Sequence, residues 1–216
     1  MSEIKPVRIT RRGIERREQI RTIAAALFLE HGYEGVSVDE IMRQAGGSKT
    51  NLYNHFGDKE GLFMAVISEM SETFTHGIKD LDVSMLPLKD GLERLGRQLL
   101  SLLMQEHHVA FQRLVIAESG RFPAIAKTWF EKGPQMARHY FAKTIAPHIQ
   151  KGSLRQGDPH VMATHYHDMI VENLLSQALL GQHVDEPMQH QAVEDALQTL
   201  LWGWQSRSHD LSGVKS

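Results

Sequence analysis

A chain of 216 residues with 41% hydrophobic content can bury one or two packed cores, and its formal net charge of -2 gives no global bias toward nucleic acid. The absence of Cys excludes disulfide frameworks, thiol catalysis and zinc ribbons, and agrees with a reducing compartment. No stretch reaches the ~18 apolar residues of a membrane span, and the basic start runs into more charge instead of an apolar signal core, so the chain reads as cytoplasmic with no membrane partner.

Charge is unevenly spread. Residues 1–21 hold seven Lys or Arg against three Glu, whereas the remaining 195 carry 17 basic and 23 acidic residues. A basic flexible arm over residues 1–13, leading into a basic helix, suits phosphate contact at one end of the molecule; a solvated tail fits the same composition.

Helical periodicity follows. Ile20, Ile23, Ala24, Leu27 and Phe28 share one face of a first helix that stops at Gly32. Ser37 and Glu40 form an S-x-x-E capping box for a second, two-turn helix with Val38, Ile41, Met42 and Ala45 on its apolar stripe, ending at Gly46-Gly47. Ser48 can cap a third short helix anchored by Leu52 and Phe56, and Asp58 a fourth running through Leu62, Phe63, Val66, Ile67, Met70 and Phe74. Two short helices across a Gly turn, braced by a longer one, make a helix-turn-helix over residues 14–63, with 64–76 as a connecting helix. The third helix then projects Lys49, Thr50, Asn51 and Asn54 where a major groove can receive them, although a merely solvated polar helix has the same spacing.

The segment "LFLEHGYEGVSVDEIMRQAG" followed by "SKTNLYNHFGDKEGLF" resembles the N-terminal DNA-binding domain of TetR-type bacterial transcriptional regulators. The shared positions are Phe28, Gly32, Ser37, Ile41, Ala45, Gly46, Leu52, Tyr53, His55, Phe56, Lys59 and Leu62. The resemblance implies a homodimeric repressor, each subunit an all-α chain with a three-helix DNA-binding domain and a larger helical ligand-binding and dimerisation domain. It implies phosphate contacts at Ser37, Val38, Tyr53, His55 and Lys59 and base reading at Lys49, Thr50 and Asn51; Ser48 and Asn54, from the reading of the third helix, complete the expected DNA-binding set. Gly47 replaces the usual Val or Ile and should loosen the turn; Thr50 replaces a small residue and adds a base-contacting group.

Residues 77–216 read as helices throughout. "GLERLGRQLLSLLMQ" is amphipathic. The next stretch is a helix broken at Arg121–Pro123 and a second perturbed at Gly133-Pro134, and it resembles the C-terminal domain of the AefR-like branch of the same family. After the "KGSLRQGDP" loop come two last helices, about His160 to Leu180 and Met188 to Gln205. Their apolar surface exceeds what one partner helix covers, so a dimer interface is expected from Met169, Leu175, Leu179, Val193, Leu197, Leu200, Leu201 and Trp204, in part as intramolecular core. A two-fold dimer would set two recognition helices on a near-palindromic double-stranded DNA operator.

The 13 His include no pair three or four residues apart, so no metal site is expected. Glu186, His190 and Glu194 read as an ion-paired row on one helix face. No nucleophile elbow, P-loop or dinucleotide turn is present, so neither enzymatic activity nor a cofactor is expected. An architectural or RNA-binding module is a further possibility, against which the large aromatic-bearing body speaks for a sensor. Candidates for a pocket are Met70, Phe74, Leu103, His107, Phe111, Trp129, Phe130, Met136, Tyr140, Tyr166 and Met169, with Glu118 and Asn173 as orienting groups; any of them also reads as core. With no run of Arg or Lys in the body, this mix favours a lipophilic aromatic or amphipathic small-molecule inducer. The alternative is a metal-responsive or ligand-independent regulator.

Overall fold

The computed structural model of the chain describes residues 11–204. The arm expected over residues 1–13 therefore lies mostly outside the described residues, and its last three residues are already helical. The elements, in order, are α1 (Arg11–His31), α2 (Val38–Ala45), α3 (Lys49–Phe56), α4 (Lys59–Lys79), α5 (Leu88–Leu103), α6 (Glu106–Glu118), α7 (Pro123–Lys132), α8 (Pro134–Gln150), α9 (Pro159–Leu179) and α10 (Glu186–Trp204). There is no β-strand among the described residues, and no helix there is long and apolar enough to cross a membrane.

The chain forms two compact units. The first combines residues up to Met70 with Ala110–Trp129. Its core takes Ile20, Ala24, Leu27 and Phe28 from α1, Ile41, Met42 and Ala45 from α2, Leu52 from α3, and Leu62, Phe63, Val66 and Ile67 from α4. The periodic apolar positions of the sequence are thus the buried ones. At its centre Phe28, Tyr33, Phe63 and Phe122 stack and meet edge to face, with centroid separations of 4.8–5.9 Å. Arg21 of α1 pairs with Glu69 of α4, and Arg121 with Glu34.

The sequence reading gave everything after residue 77 to the body. Residues 110–129 instead pack into the first unit, because Phe111, Leu114, Val115, Phe122 and Ile125 bury their apolar faces in its core. A periodic stripe shows that a helix has a buried side but not which neighbour covers it.

The second unit holds Ser71–Val109 and the chain from Phe130 onward. Its core is built by α5, α8, α9 and α10, with Leu92, Leu95, Leu99 and Leu100 of α5 facing Phe141 and Ile145 of α8, Tyr166 and Ile170 of α9, and Val193 and Leu197 of α10. Two details fix the α5–α9 approach. Tyr166 is fully buried and donates its hydroxyl to the Leu92 carbonyl at 2.9 Å. Gly96, one turn on, leaves room for it, since a Cβ there would stand 2.6 Å from the Tyr166 hydroxyl oxygen and 3.3 Å from Val193. The loop after α8 is held to the end of α10 by the Arg155 N–H donating to the Trp204 carbonyl at 2.8 Å.

Gly96→Ala is expected to destabilise the protein by about 1–3 kcal/mol through overpacking, and Tyr166→Phe by about 0.5–1.5 kcal/mol through the lost hydrogen bond. Because removing the hydroxyl opens the space that the new methyl needs, the double variant should lose less than the sum. Denaturant unfolding of the four proteins checks this; strict additivity would show that the two groups do not meet.

Candidate nucleic-acid interface

The two short helices are set by their ends. Ser37 precedes α2 with an extended backbone, and its hydroxyl accepts the Glu40 N–H at 3.1 Å, a cap worth about 1 kcal/mol. Only half of the expected box forms. The Glu40 carboxylate turns to Arg43 (2.6 and 3.0 Å) and Gln44 (2.6 Å), and the Arg43 hydrogen bond leads in lowering its pKa to about 2. Ser48 has the backbone of a cap, but its hydroxyl makes no capping bond and stays exposed. Asp58 does start α4, accepting the Gly61 N–H at 2.7 Å.

Between the helices the chain turns through Gly46 (φ 73°) and Gly47 (φ 82°), left-handed conformations that favour Gly. The space left open at Gly47 is taken by Arg16. Arg16 of α1 donates from Nη1 to the Ala45 carbonyl at 2.6 Å and to Gln19 at 2.8 Å, and a Cβ on Gly47 would fall on its guanidinium. A cation thus binds an otherwise unpaired carbonyl at the C-terminus of α2 and closes the turn from the α1 side. In the sequence Arg16 was one of seven basic residues; nothing in its spacing marked it.

On α3 the fully buried side chain is Leu52, while Phe56 is half buried with the Arg17 guanidinium 5.4 Å from its ring centroid. Ser48, Lys49, Thr50, Tyr53 and Asn54 are exposed, and Val38, Asn51, His55 and Lys59 are half buried. Asn51 and His55 line a groove of about 710 Å³ with Arg12, Arg16 and Gln19 of α1. The Lys49 ammonium is held 2.8 Å from Asp39 across the turn, which raises its pKa. Lys59 instead lies on the Tyr33 ring, 4.1 Å from the centroid, and burial there lowers its pKa. The result is an outward face of amides, hydroxyls and cations on a short helix whose first turn has no acidic residue, backed by arginines of α1. Such a face can donate to phosphates and to base edges.

The family model for bacterial regulatory proteins of the tetR family matches residues 20–66, and that for the AefR-like transcriptional repressor C-terminal domain matches residues 90–204, more than half of the chain. The chain belongs to the TetR family. It is similar to the HTH-type transcriptional repressor Rv1474c of Mycobacterium tuberculosis, 25% identical over 185 residues that span 85% of this chain and 91% of that protein. It is similar also to the HTH-type transcriptional repressor AcnR of Corynebacterium diphtheriae, 25% identical over 171 residues, 79% of this chain and 84% of that one. Among solved structures, the Flavonoid-responsive Regulator FrrA superposes with a TM-score of 0.77 at 30% identity, covering 90% of this chain and 99% of its own. A TetR-family transcriptional regulator from Mesorhizobium loti gives 0.76 at 26% identity, covering 91% and 100%. This TetR protein is a DNA-binding transcriptional repressor, and its relatives are regulators, not enzymes.

The thirteen pocket candidates of this TetR chain are divided between the two units. Met70, Phe111, Glu118 and Trp129 belong to the first unit, Phe111 as buried core, with Glu118 contributing to the charge around Lys59 and Tyr33. In the second unit Leu103 and Tyr166 are core. Phe74 stacks on the buried His108 at 4.4 Å, where burial pushes the imidazole down to about 4 and keeps it neutral. His107, Phe130, Met136, Met169 and Asn173 are exposed, with the Arg138 guanidinium 5.6 Å from the Phe130 ring centroid. Tyr140 lines a groove of about 530 Å³ beside the end of α4, and Met169 and Asn173 line another of about 400 Å³ between α9 and α10.

Of the expected interface residues, Val193, Leu197, Leu200 and Trp204 are buried in the subunit's own core and leave no surface to share, while Met169 is exposed and Leu175, Leu179 and Leu201 are half buried. In the expected ionic row, His190 lies 3.4 Å from Glu186 and the Gln198 amide donates to Glu194 at 3.4 Å. No group of three or more His, Asp or Glu able to hold a metal occurs among the described residues.

Gly47→Ala is expected to cost about 1–2 kcal/mol, because a non-Gly residue is forced into the left-handed region, and to dislodge Arg16 as well. Thermal melts of Gly47→Ala, Arg16→Ala and the double variant check this. If Gly47→Ala melts with the wild type, the turn is not the rigid element described.

Proposed function

We propose that the protein acts as a homodimer that binds a near-palindromic DNA operator through α3 and is released from it by a small lipophilic or aromatic inducer. The observation that carries the reading is the outer face of α3, where Lys49, Thr50, Asn51 and Asn54 stand on a helix pinned by Leu52. In this reading Lys49, Thr50 and Asn51 meet base edges, while Ser37, Val38, Tyr53, His55 and Lys59 meet the backbone as it passes. Work on chromosomal DNA implies a cytoplasmic protein.

Dimerisation is supported by apolar surface on α9 and α10 that the subunit does not bury. On α9, Val161 is 50% and Met169 42% exposed and Leu175 and Leu179 are half buried, and on α10 Leu201 is half buried. Apolar area of this kind on two adjacent helices fits a four-helix contact with a second copy. The inducer class is supported by FrrA, whose name describes it as flavonoid-responsive and which is 30% identical over most of the chain. By linkage, an inducer must bind the DNA-free conformation more tightly, and DNA must weaken inducer binding by the same factor.

The test separates base from backbone contacts. Asn51→Ala should cost about 1–3 kcal/mol on the preferred duplex and little on scrambled DNA. Lys59→Met keeps an aliphatic stem over Tyr33, and it should weaken both duplexes alike and lower the salt slope by about one per subunit. Binding titrations at several salt concentrations check both. Equal losses from both variants on both duplexes would mean that α3 touches phosphate only.

A further inference from the structure

The groove of about 530 Å³ in the second unit is bounded by the end of α4, the segment 80–87, α5 and α8. Its wall is apolar, from Leu81, Val83, Leu95 and Tyr140. Three lysines contribute to its lining: Lys79 at the last residue of α4, Lys143 within α8 and Lys151 just past α8. Among the described residues none of the three enters an ion pair, in contrast to Lys49 with Asp39 and Lys132 with Glu72. The carboxylate beside them, Asp82, is turned into its own loop, where it accepts the Ser84 N–H at 3.0 Å and the Ser84 hydroxyl at 2.7 Å. His148, on the same wall, adds no positive charge at neutral pH, because burial and Lys151 hold its pKa down. The formal charge of this rim is therefore +2.

Cations at helix C-termini are favourable in themselves, and that accounts for Lys79 and Lys151. It does not account for Lys143 in the interior of α8, for the convergence of all three on one cavity, or for the apolar wall they surround. Met85 adds a second unexplained feature: it lies on the edge of the same groove and is 91% exposed, a long apolar side chain left in water. A low-dielectric wall beside like charges focuses their field on the groove, and the volume falls in the range of small-molecule sites.

We propose that this groove binds an amphipathic organic anion, an apolar body carrying one carboxylate, with the carboxylate among Lys79, Lys143 and Lys151 and the body over Val83, Leu81 and Met85. The proposal narrows the inducer class given above, and its regulatory consequence rests on that reading; binding itself does not. Charge complementarity selects a carboxylate over a neutral or cationic lipophile of the same size. The amphipathic wall excludes a compact inorganic anion, which would leave Leu81, Val83 and Met85 uncovered.

Calorimetric titration of the full chain with decanoate and naphthoate, and with decanol as the uncharged comparator, tests the proposal. At least one carboxylate is expected to bind more tightly than decanol, and more weakly as salt is raised. The triple variant Lys79→Gln/Lys143→Gln/Lys151→Gln should lose about tenfold in carboxylate affinity, the combined effect of three partly screened charges, with decanol unchanged. The corresponding Lys→Arg triple should retain the binding. All three lysines are exposed, so both triples should melt with the wild type. Failure of both carboxylates to bind, or equal affinity for wild type and the Gln triple, would overturn the site. Carboxylate binding that depends on the lysines but leaves DNA affinity unchanged would keep the site and refute the inducer reading instead, because equal affinity for two states shifts neither.

Discussion

An eight-residue helix cannot hold its shape in water. Nucleation is unfavourable, and isolated helices shorter than about 12–15 residues are marginal even with good helix formers. α3 has eight residues and one fully buried side chain, whose burial contributes roughly 1.5–3 kcal/mol. Its geometry is therefore borrowed from its neighbours. Leu52 enters the core of the first unit, Phe56 lies beneath Arg17, and Arg16 closes the turn before it by binding the last carbonyl of α2 over Gly47. The consequence for function is a separation of tasks: a few inward residues fix the helix, while Thr50, Tyr53 and Asn54 stay exposed on its outer face.

The arginines of α1 take part in both tasks. Arg16 is committed to the turn, while Arg12 stands with it at the groove that Asn51 and His55 line. Lys59 shows the same economy: its ammonium rests on Tyr33, so any phosphate it meets must compete with a ring already in place. The aromatic group of Phe28, Tyr33, Phe63 and Phe122 supports that arrangement from within the same unit. In the second unit the tight approach of α5 and α9, at Gly96 and Tyr166, leaves Met169 and Val161 outside on α9.

What the sequence revealed depended on whether the signal was local. The S-x-x-E pattern, the Gly-Gly turn and the Leu52–Phe56 spacing are contained in a few residues, and α2 and α3 fall where those signals put them. The break before Pro123 and the limits of α9 were legible for the same reason, since Pro and Gly act on their own neighbours, whereas Gly133-Pro134, expected only to perturb one helix, separates α7 from α8. Partners were not legible. The stripe of Val193, Leu197 and Leu200 looks the same whether another helix of the chain or a second subunit covers it, and here the chain covers it. Phe111 and Ile125 read as body residues because they follow residue 77, yet their apolar faces belong to the first unit. Lys79, Lys143 and Lys151 are too far apart in sequence to read as a cluster, and only the folded chain brings them to one rim. Nor could spacing tell that Glu40 would prefer Arg43 and Gln44 to the backbone of Ser37.

A helix of two turns reaches only a few base pairs, so the account requires two copies of α3 on one duplex, related by a two-fold axis. Selection of bound sequences from a random duplex pool by the wild-type protein tests this most directly. The expected result is an inverted repeat whose half-site centres lie one helical turn, about 34–36 Å, or a multiple of it apart. Enrichment of a single unrepeated site, or of no sequence at all, would contradict it.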